Sequence, residues 1–255
     1  MFLVLLSPAK SLDFEKKLNC KKSSFPSFIP ESKMLINYLL KMKKEEIGKL
    51  MGISQKLIDL NYDRYKSWNE DFNLTNSRHA ISCFTGDVYK GLDVNTFSLE
   101  DLEYSQDHLR ILSGLYGLLR PLDLMQPYRL EMGVKLQTKK GKNLYEFWGN
   151  KITDKLNQNF ISSNNNYLIN LASNEYFDSV NKSQLLKKVV TPKFLDKKNG
   201  NYKVISFFAK KARGSMAAYI IKNKIQTLDE LQDFQGLEYK FCHERSDEYN
   251  LVFIR

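Results

Sequence analysis

The chain has 255 residues, of which 42% are hydrophobic and 13% aromatic, and it carries a formal net charge of +10. This length and apolar content exclude a disordered chain and suit one large domain, residues 1–255, with its own core. The first apolar run, residues 2–6, stops at Ser7 and Pro8; it is too short for a signal peptide or a membrane span, and no later run approaches a span, so a soluble cytoplasmic protein without membrane association is expected.

Residues 2–6 read as a buried strand feeding the turn Ser7-Pro8-Ala9-Lys10. In an open α/β sheet the loop after such a strand meets ligands, which makes Lys10 a candidate anion contact. Residues 11–30 have no period, and Pro26 and Pro30 break any helix there, so a covering loop packed through Phe14, Phe25 and Phe28 is expected. From Glu31 the spacing of Met34, Leu35, Tyr38, Leu39 and Met42 predicts a helix. A short helix over 45–51 and a third after Ser54 follow. Their junction, Leu50-Met51-Gly52-Ile53-Ser54, resembles the turn of a helix-hairpin-helix element, placed at about 44–68, whose backbone N–H groups face a DNA phosphate. Met51, Gly52 and Ile53 match its pattern. Ser54 replaces the second glycine and offers an N-cap hydroxyl, and Lys49 and Lys56 flank the turn. Two packed helices joined by glycine are the plain alternative.

Residues 84–93 read as a turn-rich loop in which Asp87 is an ion-pair partner or a general base. Ser98 and Asp101 have capping-box spacing, and the helix they open is expected to run through Leu109, Ile111 and Leu112 to a stop at Gly114. A short buried strand over 115–119 comes next, then a rigid connection between Pro121 and Pro127. Arg120, Arg129 and Glu131 interrupt this apolar region. They form either internal ion pairs, with Asp123 as a further partner, or a forked anion site on a cleft. A helix over 141–160 buries Trp148, residues 167–171 form a strand, and Ser173 caps a helix bearing Glu175; no histidine is placed to make Ser173 a nucleophile. Strands over 189–195 and 202–208 are joined by the hairpin signal Asn199-Gly200. Lys210, Lys211 and Arg213 then open a helix against its macrodipole, a conflict that bound anions would remove. A short helix over 229–233 and a strand over 251–254 close the chain.

Residues 185–224 hold ten lysines, one arginine and one aspartate, so the whole net charge lies in this stretch and an accessible basic stripe for polyanions is expected. Cys20, Cys83 and Cys242 are odd in number and far apart, as reduced thiols are. The histidines and cysteines lack ligand spacing, and no metal or cofactor is expected. The mixture of elements without a βαβ rhythm predicts a single α+β domain, a mixed sheet surrounded by helices.

Five segments, LLSPAKSLDF, FTGDVYKGLD, the stretch 108–133, INLASNEYFDSV and ISFFAKKARGSM, together resemble the YaaA family of bacterial peroxide stress proteins over the whole chain. The resemblance implies a fold of the family's own with a helix-hairpin-helix element and a positive cleft. It also implies DNA binding and protection against peroxide, linked to lower free iron and to DNA repair. Two functions are carried forward. One is a monomeric protein that binds duplex or structured DNA without sequence preference, through Lys49, Gly52, Ile53, Ser54, Lys56, Lys210, Lys211 and Arg213. The other is an enzyme on a nucleotide or other phosphorylated small molecule, using Lys10, Arg120, Arg129 and Arg213 to hold the anion and Asp87, Glu131 or Glu175 as acid or base.

Overall fold

The computed structural model describes residues 1–162 and 166–255. Phe2–Leu6 is strand β1, buried at all five positions, as a run apolar on both faces must be inside a sheet. In the covering loop Phe14 and Phe28 pack on the core, while Phe25 remains 56% exposed. Helix α1 (Ile29–Leu40) takes Pro30 into its first turn, where the missing N–H costs nothing, instead of being broken by it. Helices α2 (Lys44–Met51) and α3 (Gln55–Ser67) are joined by Gly52 in the left-handed region, φ +61. After β2 (Arg78–His79) and α4 (Ala80–Cys83), the loop expected over 84–93 becomes helix α5 (Asp87–Leu92), preceded by Gly86 at φ +109.

Helix α6 (Leu99–His108) has the expected Ser98–Asp101 capping box but ends before Leu109. Leu109–Ser113 is strand β3 instead, because its apolar residues pair with β1; tertiary pairing overrides the helical continuation. Gly114 therefore closes a strand, and β4 (Gly117–Leu119) turns back antiparallel to β3. Strand β5 (Leu124–Met125) pairs with β2. The helix expected over 141–160 is two, α7 (Leu144–Trp148) and α8 (Lys151–Ser162), separated by Gly149 at φ +48. Then come β6 (Tyr167–Asn170), α9 (Asn174–Phe177) and β7 (Lys188–Val190). The strand expected over 189–195 divides around Pro192 into β7 and β8 (Lys193–Lys198), which lie in different sheets. Asn199 (φ +53) and Gly200 (φ +79) make the expected hairpin to β9 (Asn201–Lys203). Helix α10 (Ser206–Lys222) begins a full turn earlier than expected, at residues whose pattern predicts strand, and α11 (Leu228–Gln232), β10 (Lys240–Phe241) and β11 (Val252–Ile254) complete the chain.

The main sheet has the order β4-β3-β1-β6-β7, parallel except for β4, and a second sheet has the order β10-β11-β8-β9. One hydrophobic core spans both, from Leu3 and Val4 to Phe194 and Phe253, so the chain is a single α+β domain with mixed sheets. From β1 the chain crosses to β3 on one side, whereas β6 leads to β7 on the other. The carboxyl ends of β1 and β6 thus flank a topological switch point, where open parallel sheets leave a crevice.

Candidate functional site

The crevice is present: a cavity of about 300 Å3 opens beyond the carboxyl ends of β1 and β6. Lys10 enters from the loop after β1, Asp87 from the start of α5, Glu131 from the loop after β5, Glu175 from α9, and Lys210 and Arg213 from α10. Its floor is fixed by Ser7 and Ser173. The Ser173 N–H donates to Ser7 Oγ at 2.8 Å, the Ser7 hydroxyl donates to Ser173 Oγ at 3.2 Å, and Tyr89 OH donates to the Ser7 carbonyl at 3.0 Å. Ser173 caps α9, as expected, but its hydroxyl faces Ser7 and makes no cap hydrogen bond.

One wall depends on two glycines. A Cβ at Gly91 would lie 2.0 Å from the Lys211 carbonyl oxygen, and one at Gly214 would lie 1.7 Å from the Val88 carbonyl oxygen. Helices α5 and α10 therefore touch backbone to backbone, which sets Asp87 against Lys210 and Arg213 across the rim. Gly114 does similar service for Glu131, since a Cβ there would meet the Leu130 carbonyl at 2.2 Å. The loop carrying Glu131 is drawn against the end of β3, and Glu175 holds it from the other side by accepting the Gly133 N–H at 3.1 Å.

The charged groups are unequally satisfied. Glu131 is 9% exposed; its Oε1 accepts from Arg129 Nη2 at 2.8 Å and lies 3.6 Å from Lys10 Nζ, while its Oε2 is buried without a hydrogen-bond partner. Arg129 is fixed by this pair and by its carbonyl, which accepts from Tyr65 OH on α3, and its Nε is also unpartnered. Arg213 is partly buried in the crevice wall and has neither an ion pair nor a hydrogen bond among the described residues. Burial, with no neighbouring charge to offset it, lowers its pKa from the usual arginine value. Burial raises the pKa of Tyr176 on the same wall, and the carboxylates of Glu175 and Glu131 add to the effect.

Arg120, expected beside Lys10, lies elsewhere. Strand β4 runs antiparallel, so its end reaches the opposite edge of the sheet, where Arg120 pairs with Asp123 at 3.0 Å and borders another cavity of about 650 Å3. Arg110 on that cavity is likewise bonded to the protein, to Asn159 and to two backbone carbonyls. Of the residues expected to hold or process an anion, the fold brings together Lys10, Asp87, Glu131, Glu175 and Arg213, with Arg129 behind Glu131.

The residues expected to contact DNA divide into two groups. Lys49, Gly52, Ser54 and Lys56 are exposed at the α2–α3 turn with Ile53 half-buried. The Ile53 N–H does not face outward, since it donates to the Gly48 carbonyl at 3.2 Å. Lys210 and Arg213 line the crevice, while Lys211 sits half-buried where its carbonyl meets Gly91. Because α10 starts at Ser206, these cations lie beyond its first turn and the macrodipole conflict largely disappears. The basic stretch 185–224 runs through both sheets and α10, and Lys188 and Lys224 pair with Glu248 and Glu100. Sequence reasoning missed Ser7 and Tyr176 as crevice residues; the signal for Ser7 was the same strand end that pointed to Lys10. No helix of the described residues is long and apolar enough to cross a membrane. A family model described as peroxide stress protein YaaA matches residues 2–245, and the chain belongs to that family.

Proposed function

We propose that the chain is a DNA-binding member of the peroxide stress response that holds duplex or structured DNA through its backbone and protects it from iron-dependent peroxide damage. The observation that carries this reading is the α2–α3 turn. Gly52 in the left-handed conformation leaves Ser54 at the head of a thirteen-residue helix with no side-chain cap hydrogen bond, between exposed Lys49 and Lys56. The Leu57 N–H already donates to the Ser54 carbonyl at 2.9 Å, but the Gln55 and Lys56 N–H groups have no acceptor among the described residues, and a phosphate satisfies them while meeting the positive end of the helix. Contacts of this kind fix position on a strand without reading bases. The test is the salt dependence of duplex affinity: replacing Lys49 and Lys56 with Ala flattens the slope of log affinity against log salt by at most about 1.8, or about 0.9 for each phosphate that a lysine no longer neutralises. An unchanged slope in the folded double variant removes the turn from the interface.

A second reading, an enzyme or binding site for a nucleotide or other phosphorylated small molecule, is favoured by the crevice. Uncommitted Arg213 and the incompletely bonded Glu131 carboxylate line one cavity at the switch point of the sheet. Sites combine convergent polar groups with a concave, partly apolar wall in this way.

A further inference from the structure

We infer that the crevice is a pocket for a single nucleotide unit, with the phosphate on Arg213 and Lys210 and the base directed at the Glu131 carboxylate. The inference rests on the phosphorylated-ligand reading above and narrows it to one class. Three features select that class.

The first is a donor without an acceptor. Arg213 sits in the crevice wall with no counter-ion, and Lys210 on the same helix is exposed and unpaired among the described residues. An arginine removed from water without a partner is unfavourable for folding, and an anion in the crevice reverses that. The second is an acceptor without a donor. Glu131 is nine-tenths buried and its side chain lines the cavity; Arg129 occupies Oε1, and Oε2 is covered and without a partner, so a turn of the carboxylate presents it to a ligand. A buried carboxylate oxygen left this way is costly, and the matching group on a ligand is an N–H or O–H. A bare phosphate satisfies Arg213 but repels Glu131, so the ligand must carry an anion at one end and a donor at the other. The third is the rest of the wall, where Pro8, Val88, Leu171 and Tyr176 add apolar surface. That suits the flat side of a base better than a fully hydroxylated sugar. At about 300 Å3 the cavity lies at the lower limit of small-ligand sites, room for one nucleotide and not for a helix of paired strands.

Such a unit has two sources, a free nucleotide or one nucleotide turned out of a DNA strand, as proteins that act on a base require. Isothermal titration with dAMP, inorganic phosphate and ribose 5-phosphate tests the class. Binding of dAMP is expected to be tighter than that of the other two and to fall about tenfold or more in Arg213→Met, as loss of a charged hydrogen bond predicts. Glu131→Gln should weaken dAMP but leave inorganic phosphate unchanged or stronger. Lys198→Gln, which removes the same charge at the far hairpin, should change neither. Competition then identifies the source: displacement of dAMP by a duplex with one bulged adenosine, and not by the fully paired duplex, assigns the pocket to a strand. Retention of dAMP against both assigns it to the free nucleotide, and either result supports the pocket. Equal binding of dAMP and ribose 5-phosphate, both dependent on Arg213, overturns the nucleotide class while the phosphorylated-ligand reading stands. No binding by any of the three ligands, or full dAMP affinity in folded Arg213→Met, overturns both.

Discussion

The two edges of the main sheet treat arginine and carboxylate in opposite ways. At the amino edge, Asp123 is wholly buried and fully engaged: Oδ1 accepts from Ser24 Oγ at 2.6 Å and Arg120 Nε at 3.1 Å, and Oδ2 accepts the Arg120 N–H at 2.8 Å. Gln106 extends the network by donating to Ser24 Oγ and accepting the Leu122 N–H. At the carboxyl edge, Glu131 keeps an oxygen without a partner and Arg213 has no partner among the described residues. A pair that exists to hold loops together satisfies its own lone pairs, because each buried group left unsatisfied costs about 1–3 kcal/mol. Groups left unsatisfied in a cavity cost the same and are retained where a ligand completes them. The amino edge has the bonding of scaffold, and the carboxyl edge has the bonding expected of the site proposed above.

The largest effect that separates them is expected from Asp123→Ala. Removing the carboxylate strands Arg120 and breaks the links to Ser24, so urea denaturation should show a loss of about 3–5 kcal/mol, with dAMP affinity unchanged in the protein that remains folded. A loss below about 1 kcal/mol would erase the distinction. Gly214→Ala comes next. Its Cβ would meet backbone, the Val88 carbonyl at 1.7 Å and the Leu92 nitrogen at 2.7 Å, so α5 and α10 must separate. Overpacking of this kind costs about 1–3 kcal/mol. Here, unlike at Asp123, the moved wall carries Arg213, and dAMP affinity should fall with stability. Retained affinity would mean that the crevice does not depend on the close helix contact.

Acid should act on the scaffold edge. His108 stacks on Tyr104 at 4.0 Å and its Nδ1 meets the Phe2 carbonyl at 2.9 Å; burial lowers its pKa from 6.5, outweighing that hydrogen bond. The folded protein thus refuses a proton that the unfolded chain accepts. The stability from neutral His108 is complete above about pH 6.5 and is lost as pH falls through and below that value, at no more than about 1.4 kcal/mol per unit. Burial lowers the pKa of His79 in the same direction. Between pH 7 and 5, His108→Gln should flatten the stability curve measured by thermal melts. An identical curve would shift the acid sensitivity to His79 or the carboxylates.

Much of this was legible in the sequence. The β1 strand with its crevice-lining turn, the Ser98 cap and the Asn199-Gly200 hairpin follow from local chemistry, and each stands where its residues predict. The failures at Leu109–Leu112 and at Arg120 share a cause, pairing between residues distant in the chain. Leu109, Ile111 and Leu112 continue a helical pattern but are claimed by β1. Arg120 and Arg129 are alike in sequence, yet the antiparallel return of β4 sends one to the far edge of the sheet. Spacing alone leaves Arg213 open between a phosphate contact on an exposed helix start and an anion holder beside Lys10. Its place in the crevice depends on the contact between Gly214 and α5, for which the sequence offers only a glycine inside a helix.

The most direct measurement is the unfolding free energy of Arg213→Met set beside its dAMP affinity. If Arg213 is held in the crevice for a ligand, removing its charge while keeping its apolar stem leaves stability unchanged or raises it by up to about 1 kcal/mol, and affinity falls about tenfold or more. A variant that loses more than about 1 kcal/mol of stability and still binds dAMP like the wild type would show that Arg213 belongs to the scaffold and that the carboxyl edge is not a site.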